Sequence, residues 1–193
     1  MTRPAPPTRL VVLDRDGVIN HDSREFIKSA DEWKPIEGSL EAIALLSKNG
    51  FTVAVASNQS GIGRGLLDRR ALYSIHRKMR QAVRAAGGSI DCIVYCPHLP
   101  GDRCDCRKPA PGLLNRLGRR YRVSTEGVPV IGDSERDLAA ARAAGARPML
   151  VLSGNGRKTM KELNRLSVPV EYYDDLLAAA KKLVSESVGG GRQ

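Results

Sequence analysis

Residues 11–20 read V-V-L-D-R-D-G-V-I-N, an apolar run that stops at two aspartates one residue apart, followed by glycine. The run has the length and composition of a buried strand, and Asp-Gly marks its end. Side chains two apart on a strand point the same way, so Asp14 and Asp16 are expected to project together from one tip. Two crowded carboxylates repel each other unless a cation joins them. A hard divalent ion with oxygen ligands answers that need, Mg²⁺ being the common one. An Asp-rich surface turn is the rival reading for the pair taken alone. A carboxylate beside Mg²⁺ can attack phosphorus and form an aspartyl-phosphate, which splits one hard transfer into two easier ones.

A second set is Cys96-Pro-His98, five residues, then Cys104-Asp-Cys106. Three thiols and one imidazole so close together make a Cys₃His complement, a common structural zinc set in which the protein fills all four positions. Thiolate and imidazole suit Zn²⁺ far better than Mg²⁺. A disulfide is the alternative, disfavoured by the histidine and by the cytosolic setting expected below. Cys92 reads as a small core residue on a strand, His21 as a loop residue and His76 as a helix-face residue. The zinc set ends one residue before Arg107-Lys108, so a metal clip here is expected to preorganise that pair.

These residues need elements to position them. Strand-like runs recur at 9–13, 52–57, 90–95, 128–131 and 148–152, with helical patterns near 37–48, 68–86, 110–121, 134–144 and 174–186. Alternating strands and helices predict right-handed crossovers and a mostly parallel, doubly wound α/β sheet covered on both faces. Its ligand site is expected beyond the carboxyl ends of the strands. The polar clusters fall there: Asp14-Arg15-Asp16-Gly17 after the first strand and Ser57-Asn58-Gln59-Ser60-Gly61 after the second. Arg107-Lys108-Pro109 follows the third, and Gly132-Asp133-Ser134-Glu135-Arg136-Asp137 the fourth. Residues 1–8 are expected to be disordered, 9–186 to form the domain with its zinc loop at 96–108, and 187–193 to be a flexible tail. There is no room for a separate cap domain, so selectivity falls to loops 20–35 and 61–66 and to the zinc loop. Trp33 reads as packing.

The formal charge is +10, from 31 Lys and Arg against 21 Asp and Glu. Such an excess suits nucleic acid or a small polyanion. The arginines lie along predicted helices without interleaved aromatics, and two Phe and one Trp supply few stacking platforms for bases. A nucleic-acid 3′-end phosphatase or a basic zinc-loop binding module is therefore the less favoured class. No apolar stretch approaches the roughly 20 residues that span a bilayer, and the N-terminus lacks a signal-peptide core. A cytoplasmic monomer is expected.

The order D-x-D-G, S-N-Q-S-G, R-K-P, G-D-x-x-x-D resembles the haloacid dehalogenase (HAD) superfamily of phosphotransferases. The resemblance implies that Asp14 is the nucleophile and Asp16 the general acid and then base. Ser57 and Asn58 would hold the transferring phosphoryl group, with Lys108 across its charge. Asp133 would bind Mg²⁺ with the Asp14 side chain and the Asp16 backbone carbonyl, and Asp137 would support the lysine or the metal shell. The C-P-H…C-x-C-R-K-P insert, D-R-D-G-V-I-N and N-Q-S-G-I-G-R-G are narrower. They resemble the D-glycero-D-manno-heptose-1,7-bisphosphate 7-phosphatases, with histidinol-phosphate phosphatases as relatives. The similarity covers roughly residues 9–155, and G-N-G-R-K at 154–158 fits as well. It implies removal of the C7 phosphate from a sugar bisphosphate in lipopolysaccharide or surface-glycan heptose synthesis. Asp22, Ser23, Arg24 and Glu25 would contact substrate, with Gln59 and Ser60 beside it. Arg107 would take the remaining phosphate, since a guanidinium fork matches its oxygens. Two positions depart from some members: Ser134 where a lysine occurs, and Glu25 where a tyrosine occurs, both beside the expected sugar.

Overall fold

The structure is a computed structural model and describes residues 9–189. The expected disordered stretch 1–8 and the end of the expected tail, 190–193, lie outside the described residues. The last helix continues through Gly189, so residues 187–189, expected to be tail, are helical.

Six strands form one sheet: β1 (Arg9–Leu13), β2 (Phe51–Asn58), β3 (Cys92–Cys96), β4 (Pro129–Gly132), β5 (Arg147–Val151) and β6 (Glu171–Tyr173). They lie in the order β3-β2-β1-β4-β5-β6, and every pairing is parallel. Helices α1 (Ser39–Lys48), α2 (Ser60–Gly63), α3 (Arg69–Ala85), α4 (Gly112–Tyr121), α5 (Glu135–Ala143), α6 (Gly156–Arg165) and α7 (Leu176–Gly189) supply the layers and connections. The strand order reverses between β1 and β4, which opens a crevice at their carboxyl ends.

Strand alternation divides the core. Val11 and Leu13 of β1 face one layer with Ile43, Leu46, Ile75 and Met79 of α1 and α3. Leu10 and Val12 face the other, with Leu113, Leu114 and Leu117 of α4. Each such side chain contributes about 1.5–3 kcal/mol by leaving water. On α3 the stripe Leu72, Ile75, Met79, Val83 is buried, while Arg69, Arg70, Arg77 and Arg84 are exposed. Most of the helical arginines are a solvated face, and Arg80 bends back to donate to Ile90 O at 2.6 Å.

Three elements lie outside the expectations: α2, α6 and β6. Helix α6 buries only Gly156 and Leu163, so it carries almost no apolar period to read, and β6 is a three-residue strand at the sheet edge. What holds α6 against the sheet is a close backbone approach. A Cβ on Gly156 would lie 1.8 Å from Val151 O, and one on Gly154 (φ 53°) would lie 2.3 Å from Asp133 Oδ2. Only hydrogen fits at either place, and this brings the β5–α6 turn onto the end of β4.

Candidate active site

The crevice holds a cleft of about 310 Å³ lined by residues from β1, β2, the loop after β3, and the β4 and β5 ends. At its base is Lys108, 3% exposed. Its ammonium donates to Asp14 Oδ1 at 2.8 Å and to Ala56 O at 2.8 Å, and it pairs with Asp137 Oδ1. Burial disfavours the Lys108 charge, but Asp137 and Asp14 outweigh it and raise its pKa. Asp137 spends its other oxygen on Ser134, from the backbone N–H at 3.1 Å and the hydroxyl at 2.5 Å. With both oxygens occupied, Asp137 supports the lysine and the start of α5.

Asp14 follows the last residue of β1 and is fixed by its own N–H to Ile131 O at 2.9 Å. Burial pushes its carboxyl up to about 8 against the pull of Lys108, with Asp137, Asp133 and Asp16 pushing the same way. Asp133 is likewise pushed up to about 6, first by burial, with Asp137 and Asp22 adding to it and the Asn155 hydrogen bonds opposing it. One oxygen each of Asp14, Asp133 and Asp137 lie within 4.8 Å of one another. Asp133 Oδ2 accepts from Asn155 N at 2.8 Å and Nδ2 at 3.2 Å. Such a group carries more negative charge than one lysine balances, and its oxygens suit a hard divalent cation.

Asp16 lies in a different environment. Arg15, whose side chain is 1% exposed, donates Nε at 3.0 Å and Nη2 at 2.8 Å to Oδ1, and Nη2 at 2.8 Å to Oδ2. Asn20 Nδ2 adds 2.9 Å and Gln59 Nε2 adds 2.8 Å. Burial acts to raise this carboxyl, yet the Arg15 cation and the donors hold it below the usual carboxylate range. Asn20 is oriented by Trp33 Nε1 at 2.9 Å, so Trp33 packs and also anchors. The two motif aspartates thus share the cleft but not a network. The strand has ended at Leu13, and the intervening Arg15 turns inward to claim Asp16. Arg15 Nη1 and His76 Nε2 are the two buried side-chain nitrogens without a partner among the described residues. Burial and the Arg15 cation push His76 down to about 3.

Ser57, Gln59 and Ser60 are buried at the cleft, and Gln59 Nε2 bridges Asp16 and Ser57 Oγ at 2.8 Å. Asn58, expected on the phosphoryl group, also lines the cleft. Its Nδ2 donates to Lys108 O at 3.0 Å and its Oδ1 accepts from Lys108 N at 3.0 Å, so the side chain is committed to the Lys108 backbone. Asp22, Ser23 and Arg107 line the cleft, but Arg24 and Glu25 do not. Both of the latter are exposed, because the chain turns at Phe26 (φ 65°) and it is Phe26 that faces inward. Arg15, Phe26, Arg64, Arg136 and Asn155 line the cleft without having been singled out. All but Phe26 lie inside motif segments, where they read as spacers. Arg64 is poised over the Phe26 ring, 5.8 Å from its centroid.

Beside the cleft, Cys96, His98, Cys104 and Cys106 converge. Cys96 Sγ is 3.2 Å from Cys106 Sγ and 3.8 Å from Cys104 Sγ, and His98 Nδ1 is 3.4 and 3.3 Å from Cys96 and Cys106. All four cysteines are free, which sets the disulfide aside. Zinc bonds of about 2.3 Å to sulfur and 2.0 Å to nitrogen place tetrahedral ligands about 3.5–3.8 Å apart, so the four side chains fit that ion. Burial pushes the Cys106 thiol up to about 12, with Cys96 and Cys104 adding to it. Cys92, half-buried, packs at the edge of the second core layer. Arg107 Nη1 donates to His98 O at 3.1 Å, and Gly63 N donates to Pro97 O at 3.1 Å. The loop therefore braces both Arg107 and the turn that carries Arg64.

Fold and site together define a HAD-type hydrolase, and the HAD-hydrolase-like family model matches residues 105–179. A Bordetella bronchiseptica protein named D-glycero-beta-D-manno-heptose-1,7-bisphosphate 7-phosphatase is 50% identical over 93% of this chain and 99% of its own length. The Pseudomonas aeruginosa protein of that name is 50% identical over 91% and 97%. The crystal structure of D,D-heptose 1,7-bisphosphate phosphatase from B. bronchiseptica, complexed with magnesium and phosphate, superposes with a TM-score of 0.89. It is 49% identical and covers 93% of this chain and 99% of that one. The Burkholderia thailandensis enzyme gives 0.72 at 42% identity, over 92% and 99%. The chain belongs to the D-glycero-β-D-manno-heptose-1,7-bisphosphate 7-phosphatase family.

The Asn58 clamp gives a direct expectation. Asn58→Ala leaves both backbone groups of Lys108 without their partner, at about 1–3 kcal/mol. The variant should melt several degrees lower and lose kcat more than it gains KM, as thermal denaturation and steady-state kinetics would show. An unchanged kcat would mean that the Lys108 backbone holds its place without Asn58.

Proposed function

We propose that this protein is a Mg²⁺-dependent phosphatase that removes the C7 phosphate of D-glycero-D-manno-heptose 1,7-bisphosphate through an aspartyl-phosphate on Asp14. The observation that carries the reading is Asp14 itself, held by Lys108 through one oxygen and facing a cleft that also contains Asp16 and Asp133. The two relatives at 50% identity support the substrate.

In the first step an Asp14 oxygen attacks phosphorus, the bond from phosphorus to the C7 oxygen breaks, and Asp16 gives that oxygen a proton. In the second, water attacks the aspartyl-phosphate, Asp16 takes the proton, and inorganic phosphate leaves. Arg15, Asn20 and Gln59 favour ionised Asp16, the form required of a base. A phosphate dianion brought alongside raises its proton affinity, which favours the acid form when substrate binds. Lys108 and Ser57 sit where the phosphoryl oxygens collect charge. Asp14, Asp133 and the Asp16 backbone carbonyl would hold Mg²⁺, which when bound offsets the repulsion between carboxylate and phosphate. Among the substrate contacts expected from sequence, Asp22, Ser23, Ser57, Asn58, Gln59, Ser60, Arg107 and Lys108 line the cleft, with Arg107 taking the distal phosphate.

Structural zinc on Cys96, His98, Cys104 and Cys106 belongs to the same reading, as do a cytoplasmic site and a place in lipopolysaccharide or surface-glycan heptose synthesis. Among the described residues, no helix is long and apolar enough to cross a membrane.

The deciding experiment measures kcat/KM with Mg²⁺ for both anomers of heptose 1,7-bisphosphate and for histidinol phosphate in one phosphate-release assay. One heptose anomer should be preferred by about a hundredfold, or roughly 2.7 kcal/mol of transition-state discrimination. A preference for histidinol phosphate would overturn the substrate and leave the chemistry standing.

Asp14→Asn should abolish turnover while the fold and zinc content are retained; near-normal turnover would sink the mechanism. Removing zinc with a selective chelator, Mg²⁺ kept in excess, should cut kcat/KM at least tenfold and raise KM as the Arg107 brace loosens. Intact kcat/KM in metal-stripped protein would end the idea that zinc organises this loop.

A further inference from the structure

Asn155 is the N-cap residue of α6, yet its side chain makes no capping hydrogen bond to that helix. It turns instead to two carboxylates on separate parts of the chain. Asn155 Nδ2 lies 3.2 Å from Asp133 Oδ2 and 3.1 Å from Asp22 Oδ2, and its backbone N–H meets the same Asp133 oxygen at 2.8 Å. Asp133 follows β4 at the proposed cation site, while Asp22 belongs to the loop after β1 that lines the cleft. One amide nitrogen therefore spans the cation site and the substrate loop.

The surrounding turn is built to hold it there. Gly154 sits against Asp133 and Gly17 where no Cβ fits. Ser153 Oγ donates to Gly17 O at 2.7 Å, and Thr159 Oγ1 donates to Asp133 O at 2.8 Å. With Oδ2 of Asp133 taken by two N–H donors, the Asp133 carboxylate is fixed about its terminal torsion and its other oxygen has a set direction. Charge-assisted hydrogen bonds of this kind are the stronger ones, and groups that orient a metal ligand govern affinity through it.

We propose that Asn155 is a positioning residue that couples cation binding to the substrate loop: its side-chain amide orients Asp133 for Mg²⁺ and tethers Asp22 to the same point. The coupling runs both ways, since whatever strengthens one arm orders the amide for the other. The proposal rests on the phosphatase reading for the identity of the cation ligand.

The test is calorimetric titration of the whole protein with MgCl₂ alone, which needs no turnover. Asn155→Ala should weaken Mg²⁺ about tenfold and raise the substrate KM more than it lowers kcat, with the melting temperature little changed because no cap is lost. Asp22→Ala should weaken Mg²⁺ about threefold in the parent and by less than 1.5-fold in the Asn155→Ala background, the non-additivity of a shared partner. An Asn155→Ala protein that binds Mg²⁺ within twofold of the parent would overturn the proposal. So would an Asp22→Ala effect of equal size in both backgrounds, which is what simple loss of a nearby charge produces. If Asn155→Ala does not fold, Asn155→Ser carries the same titration. Inactive Asp14→Asn protein alongside unaltered Mg²⁺ affinity in Asn155→Ala would remove this inference and leave the phosphatase reading intact.

Discussion

A lysine ammonium buried beneath the cleft is the constraint on which the rest of the site depends. Taking such a charge out of water costs several kcal/mol, and the cost is offset only by close, well-aimed partners. Lys108 has them on three elements: Asp14 at the end of β1, Ala56 O on β2 and Asp137 on α5. Each partner must arrive from a different strand end, so the parallel sheet with its reversal between β1 and β4 is what makes the cluster possible. The chain that delivers Lys108 has no regular structure of its own. Asn58 reads its backbone on both sides, and the Cys₃His loop stands immediately before it.

The same constraint separates the two aspartates. Asp14 lies where burial and three neighbouring carboxylates push its proton affinity up. Asp16, two residues on, has an arginine and two side-chain amides to itself and stays below the usual range. Neighbouring carboxyl groups driven in opposite directions are how one site assigns distinct duties to chemically identical side chains. The crowded carboxyl gains from a cation, while the other is held ionised by its donors. Arg15 makes the difference.

Much of this was legible in the sequence because it follows from local periodicity and from residue types with few alternatives. Five apolar runs gave five of the six strands, and the polar clusters fell at their carboxyl ends as the parallel topology demands. Cysteine and histidine at metal-ligand spacing announced their own convergence. What could not be read depended on where side chains turn. Arg15 looked like a spacer between two motif aspartates, and nothing local says that it folds inward. Asn58 looked like a phosphate contact, since its commitment to Lys108 spans 50 residues of chain. Arg24 and Glu25 were expected at the substrate from the family resemblance, but Phe26, at a left-handed turn, lines the cleft and they do not. Helix α6 was invisible because it is nearly all polar, and with it went Asn155.

The loops around the cleft are braced against one another. Loop 61–66 rests on the Cys₃His loop through Gly63, where a Cβ would lie 2.7 Å from Pro97 O. Its next residue, Arg64, meets Phe26 of the loop after β1. Three loops from three strand ends are thus linked in series, with the Cys₃His cluster at one end. A guanidinium carried by such a chain of contacts holds its direction at the cleft mouth with less ordering entropy left to lose when a phosphate arrives. The floor of the cleft is acidic, with Asp14, Asp133 and Asp137, and Arg64, Arg107 and Arg136 also line it. A ligand with phosphates at both ends matches that gradient of charge, and one with a single phosphate uses only half of it.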